Sequence, residues 1–96
     1  MAENTKPLFM EYMNKALVRE GNNICYGNMS DKAVLFLLIT SFKKLGKHDI
    51  PDKILIQIIS TDTSLPFHKR ILKQGEKNGL YEAFDIGMAW LNRQNS

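Results

Sequence analysis

The side chains with potential for catalysis are few, because the chain has one cysteine and two histidines. A Cys–His pair can act as nucleophile and base when the fold brings the two side chains together. Cys25 lies in a glycine-flanked segment, and no neighbour in the sequence would lower its pKa. His48 precedes Asp49, which we expect to cap a helix, and His68 falls on an apolar helix face. We therefore predict no catalytic residue and no enzyme activity.

Metal and cofactor sites have recognisable spacings, and the sequence carries none of them. It has no CxxC or HxxxH pair and no acidic calcium loop. The glycine-rich phosphate-binding patterns GxGxxG and GxxxxGKS/T are also absent. The sequence thus predicts no metal, no cofactor and no small-molecule substrate.

The composition predicts one globular domain. Of the 96 residues, 44% are hydrophobic and 24% are charged, as in ordinary folded proteins. We expect a single helical domain over residues 1–96, with disorder in about the first four and the last three residues. The lone cysteine, the lack of a secretion signal in MAENTKPLF and the short longest apolar run, Ala33–Ile39, predict a cytoplasmic protein without membrane contact.

Apolar spacing, together with start and stop signals, predicts five helices joined by short loops. Their expected ranges are 5–20, 30–45, 49–60, 64–77 and 80–93. The second helix contains AVLFLLI and is apolar on every side, so we place it at the buried centre. The predicted fold is all-α, a small orthogonal bundle of about five helices.

One segment fits two kinds of element. KILIQIIS, at 53–60, is rich in β-branched residues, which would suit a strand. Ile50, Ile54 and Ile58 also keep helical spacing, and the start signal at Asp49 favours a helix. The interpretation as a helix or as a strand stays open at this point.

The fourth predicted helix holds the excess of positive charge. Lys69, Arg70, Lys73 and Lys77 lie on one of its sides, and the charges of residues 64–78 sum to +3, the net charge of the whole chain. Ser64 followed by Arg70 has the spacing of a helix-turn-helix recognition helix. These four basic residues are candidates for binding nucleic acid or an acidic protein, and the alternative is a solvated helix face.

The last predicted helix is apolar over about twice the arc that one core contact requires. Ile86, Met88 and Trp90 form a candidate surface for a partner protein or a second copy of the chain. Ala83 and Gly87 lie between the apolar stripes and would let the helix approach a neighbour closely, so core packing is the alternative.

These surfaces lead to two functional predictions. The first is a small non-enzymatic protein-binding regulator, inhibitor or adaptor that acts through a helical surface as a dimer. The alternative is a helix-turn-helix-like nucleic-acid-binding protein that uses the basic helix 65–77.

Overall fold

A computed structural model of the chain describes residues 8–12 and 15–96. This part of the chain forms eight strands and two helices. In chain order they are β1 (Leu8–Tyr12), β2 (Lys15–Glu20), β3 (Asn23–Tyr26), β4 (Ala33–Ile39), β5 (Phe42–Leu45), β6 (His48–Pro51), β7 (Lys53–Ser60), α1 (Phe67–Arg70), β8 (Ile71–Asn78) and α2 (Leu80–Asn95).

Six of these strands form one antiparallel sheet in the order β1-β2-β3-β4-β7-β8. The order follows the chain, except that β5 and β6 pair with each other as a separate hairpin between β4 and β7. After β8, helix α2 runs back along one face of the sheet and packs against β4, β7 and β8. The architecture is therefore an antiparallel meander that is covered by a helix on one side.

The predicted all-α bundle is wrong, and so is the helical-bundle description that went with it. KILIQIIS is strand β7, in which Ile54, Ile56 and Ile58 are buried at every second position. The apolar run AVLFLLI is strand β4, which pairs with β3 and β7 at the middle of the sheet. Each run buries its apolar residues against neighbouring strands and α2, and this tertiary packing outweighs the local helix-start signals.

Of the other predicted helices, two are replaced mainly by strands and one is present. The first range, 5–20, contains β1 and β2, and its residues 5–7, 13 and 14 lie outside the described residues. The fourth range, 64–77, contains only the single helical turn α1, after which β8 begins at Ile71. The fifth helix is confirmed, because α2 begins at Leu80 as predicted and continues to Asn95.

The hydrophobic core lies between α2 and the sheet. Its largest fully buried side chains come from β3, β4, β7 and α2, and they are Tyr26, Leu35, Leu37, Ile54, Ile56, Ile58 and Leu91. Ala83 and Gly87 are buried on α2, as expected for residues that allow a close approach. The C-terminal end of α2 is held by Asn95, whose Oδ1 accepts from the Ala33 amide at 3.0 Å and whose Nδ2 donates to the Ala33 carbonyl at 3.3 Å.

Helix α2 begins at a turn that requires glycine. Gly79 has a φ of 92°, which side-chain-bearing residues rarely adopt, and its amide donates to the Asp52 carbonyl at 2.7 Å. This bond ties the start of the helix to the start of β7. Neither described helix combines the length and apolar character that crossing a bilayer requires.

Candidate functional site

The sheet has two faces of different composition, because residues that pair across neighbouring strands point to the same side. One face carries the core residues and packs against α2. The opposite face, which we call the open face, has two partly exposed register rows beside a third row in which Val34 and Ile59 are buried. The first row is Val18, Cys25, Phe36, Gln57 and Gln74, and the second is Glu20, Asn23, Leu38, Leu55 and Glu76.

The middle of the open face is apolar. Val18, Cys25, Phe36, Leu38 and Leu55 are all partly exposed there, with no charged residue between them. A sheet face in contact with water normally alternates to polar side chains, so this composition is unusual for an uncovered face.

Polar side chains flank this apolar centre on β7 and β8 and along the second row. Gln57 donates through Nε2 to Gln74 Oε1 at 3.0 Å, which links β7 to β8 across this side. Glu20 and Glu76 are exposed at opposite ends of the second row. An apolar centre with a polar margin is the usual arrangement of a protein-binding surface.

Cys25 lies on the open face next to Phe36. Partial burial raises the pKa of the Cys25 thiol, so at neutral pH the side chain is protonated and poorly nucleophilic. A shallow depression of about 170 Å³ lies beside it, lined by Val18, Glu20, Asn23, Cys25 and Phe36.

A second cavity lies on the other side of the sheet, beyond the edge of α2. This helix-side groove has a volume of about 230 Å³. Its lining residues, from β2, β3, β4 and the first turns of α2, are Leu17, Arg19, Ile24, Leu37, Leu80, Tyr81 and Phe84. Arg19 is the only charged residue among them, and its Nε donates to the Gly21 carbonyl at 3.2 Å.

The predicted partner surface on the last helix lies beside the hydrophobic core. Ile86, Met88 and Trp90 are partly buried and pack against the core. The Trp90 ring lies directly over Gly75 of β8, where an added Cβ would come within 2.9 Å of the ring atom Cη2. Lys73 Nζ lies 4.7 Å from the centroid of the same ring, a cation–π distance.

The four basic residues predicted on one helix face are divided between two elements. Lys69 and Arg70 are in α1, and Arg70 donates through Nε to the Ser60 carbonyl at 2.9 Å. Lys73 and Lys77 lie on β8, an edge strand, where lysine discourages pairing with another sheet. The helix-turn-helix prediction is therefore corrected, since most of the proposed recognition helix is a strand.

Ser64 was expected to cap that helix, and it contacts Asp62 in the preceding turn. Its Oγ and its amide both donate to Asp62 Oδ1, at 2.6 and 3.0 Å. These hydrogen bonds lower the pKa of the exposed Asp62 carboxyl.

The candidate catalytic side chains lie on separate elements. Cys25 is on β3, His48 is on the β5–β6 hairpin, and His68 is in α1. Within residues 8–12 and 15–96, no group of three or more His, Cys, Asp or Glu side chains is arranged to hold a metal ion. Sequence reasoning missed the residues of the open face and of the helix-side groove. Both surfaces can be recognised only when the strands between residues 15 and 39 are known.

No family model, curated protein or solved structure matches this chain.

Proposed function

We propose that the protein is a non-enzymatic protein-binding domain that pairs with a second copy of itself through the open face. The observation that carries this proposal is the apolar centre of that face, formed by Val18, Cys25, Phe36, Leu38 and Leu55. Covering it would remove partly exposed apolar surface from water, which is the main favourable contribution to association. Two antiparallel sheets stacked in this way form a sandwich, with the two inner faces about 10 Å apart.

The size of the face supports a dimer of modest affinity. Six strands about 4.8 Å apart make the sheet roughly 25 Å wide. A stable interface buries about 800 Å² on each partner, a patch of similar width. The apolar, partly exposed residues are confined to the centre of the two rows, around Phe36 and Leu38, so we expect association at the weak end of that class.

The charges at the margin favour one orientation of the second copy. A two-fold axis along β4 would place Glu20 against Glu76 of the second copy and would bring like charges together. A two-fold axis across the strands places Phe36 opposite Leu38 of the second copy and keeps the glutamates apart. The second arrangement keeps an apolar pair at the centre of an isologous interface, in which the same patch is used on both copies.

We also propose that the protein works in a reducing compartment such as the cytoplasm. The one cysteine lies on the proposed interface, where oxidation would introduce polar groups into the apolar centre.

The decisive experiment measures mass against concentration by size-exclusion chromatography with light scattering and by sedimentation velocity. The wild-type mass should rise from 11.0 kDa towards twice that value as concentration increases. Phe36→Glu should raise the dimer Kd by roughly 100-fold, because it places a charge at the centre of the interface.

Phe42→Glu is the matched control. Phe42 is 46% exposed on the β5–β6 hairpin, away from the main sheet, so the same substitution there should leave the Kd unchanged. Circular dichroism of both variants checks that the fold is kept. A wild-type mass that stays monomeric up to about 1 mM would overturn the proposal, and so would equal effects of the two substitutions.

A further inference from the structure

We propose that the helix-side groove binds a small amphipathic anion, namely an aliphatic monocarboxylate whose tail fills the groove and whose carboxylate pairs with Arg19. This inference goes beyond self-association, because the groove lies on the opposite side of the sheet from the open face.

The shape of the groove follows from the position of α2. The helix packs on β4, β7 and β8, so its first turns form a wall beside β2 and β3. Leu17, Ile24 and Leu37 form the floor, and Leu80 and Phe84 form the wall. An apolar recess between a sheet and a helix is a common setting for small ligands.

The volume sets the size of the ligand. At about 30 Å³ per heavy atom in a liquid, the 230 Å³ of the groove hold roughly seven or eight atoms. An engineered apolar cavity of about 150 Å³ is already enough for benzene. An alkyl chain of seven carbons, as in octanoate, therefore matches the groove.

Arg19 supplies the polar end of the site. It is in register with Ile24, which is in register with Leu37, so the cation lies at one end of a row of apolar floor residues. The ion pairs between described residues are Lys15–Asp31 and Lys44–Asp49, and neither uses Arg19. A guanidinium offers a planar pair of donors that matches a carboxylate.

The wall of the groove is formed before any ligand binds. The Phe84 ring meets the buried Tyr26 ring edge to face, with centroids 5.6 Å apart and planes at 74°. This contact fixes the Phe84 side chain that lines the groove. Tyr81, 90% exposed in the same turn of α2, lies at the mouth.

The test compares octanoate with 1-octanol by amide NMR titration of the full-length chain. Both probes should shift the amides of Ile24, Leu37 and Phe84, and octanoate should bind roughly tenfold or more tightly, as a charge-assisted hydrogen bond predicts. Arg19→Gln should abolish this preference while octanol binding persists, and Arg19→Lys should keep part of it. Lys47→Gln, which removes one positive charge from the exposed hairpin turn, should change nothing.

Two further arms separate this proposal from the dimer. Leu17→Trp should fill the groove and abolish binding of both probes, with circular dichroism as the check on folding. The monomeric variant Phe36→Glu should bind octanoate as the wild type does, so that failure of one proposal leaves the other intact. Equal affinity for octanoate and octanol, shifts confined to the open face, or no saturation by about 10 mM octanoate would overturn the inference.

Discussion

Gly87 and Leu35 are in such close contact that α2 can lie on β4 only because residue 87 has no side chain. A Cβ at position 87 would lie 2.5 Å from Cδ1 and 2.9 Å from Cδ2 of Leu35, and Leu35 is fully buried. We predict that Gly87→Ala lowers the free energy of unfolding by about 1–3 kcal/mol, as overpacking does. Urea denaturation measures the loss.

The sign of this effect is informative, because alanine favours a helix over glycine by about 1 kcal/mol. Without the clash, Gly87→Ala would stabilise the protein, and such a result would contradict the packing described here. Asn92→Ala, on the exposed side of the same helix, is the control and should change stability little. Adding Leu35→Ala should make room for the new methyl group, so that the double variant loses less stability than the sum of the two single variants.

The last helix was the element that the sequence predicted well, and the reason is local. The glycine turn before Leu80 and the small residues Ala83 and Gly87 act within one helical segment, whose period of 3.6 needs no partner to be recognised. The sequence predicts that these small residues let the helix approach a neighbour closely, and the contact of Gly87 with Leu35 is such an approach.

The sheet could not be predicted in the same way. The run AVLFLLI is apolar at every position, so its periodicity fits a buried helix and a central strand equally well. The run is a strand because it pairs with Asn23–Tyr26 on one side and with Lys53–Ser60 on the other. Neither pairing can be recognised from the sequence of the run itself. The local signals at Ser30 and Asp49 agreed with helix starts, and long-range pairing overrode both.

The two candidate surfaces could not be predicted from the sequence for the same reason. Phe36 and Leu38 alternate with the buried Leu35 and Leu37, but all four are apolar, so nothing in the sequence marks which pair faces outward. In β2, Val18 lies on the open face, whereas Leu17 and Arg19 line the groove. This assignment requires knowing that the segment is a strand.

Asn95 provides a second prediction, because its side chain pairs with both backbone groups of Ala33. Asn95→Leu removes both hydrogen bonds and should lower the free energy of unfolding by about 1–2 kcal/mol. Hydrogen exchange at the Ala33 amide should accelerate more than exchange at the Leu35 or Leu37 amides. Asn92→Leu is the control, because Asn92 lies on the exposed side of the same helix. Unchanged exchange at Ala33 would show that the Asn95 pairing does not hold the end of β4.

Substitution of Trp90 tests whether this residue stabilises the core or binds a partner. Because its ring lies over Gly75 and beside Lys73, Trp90→Ala should lower the free energy of unfolding by about 2–4 kcal/mol. The folded fraction should keep the wild-type dimer Kd. Lys73→Met, which removes only the cation, should cost less than about 1 kcal/mol. A Trp90→Ala protein of normal stability that no longer self-associates would instead favour the helical surface predicted from the sequence.

Cys25 reports on the open face, because it lies beside Phe36 and is the only thiol in the chain. Labelling with a disulfide reagent should slow as the wild-type concentration rises, since the second copy covers the thiol. Phe36→Glu should remove this protection and make the rate independent of concentration, whereas Phe42→Glu should not.

The pH dependence of this labelling has a definite sign. Partial burial raises the pKa of Cys25, so the labelling rate should reach half of its maximum at a higher pH in the folded protein than in the chain unfolded in urea. A folded-state pKa above the unfolded value means that the buried thiol contributes stability in full below the ordinary thiol pKa. That contribution is lost as pH rises through the raised pKa. A half-maximal rate at or below the pH found for the unfolded chain, or protection that does not depend on concentration, would contradict the placement of Cys25 on a covered open face.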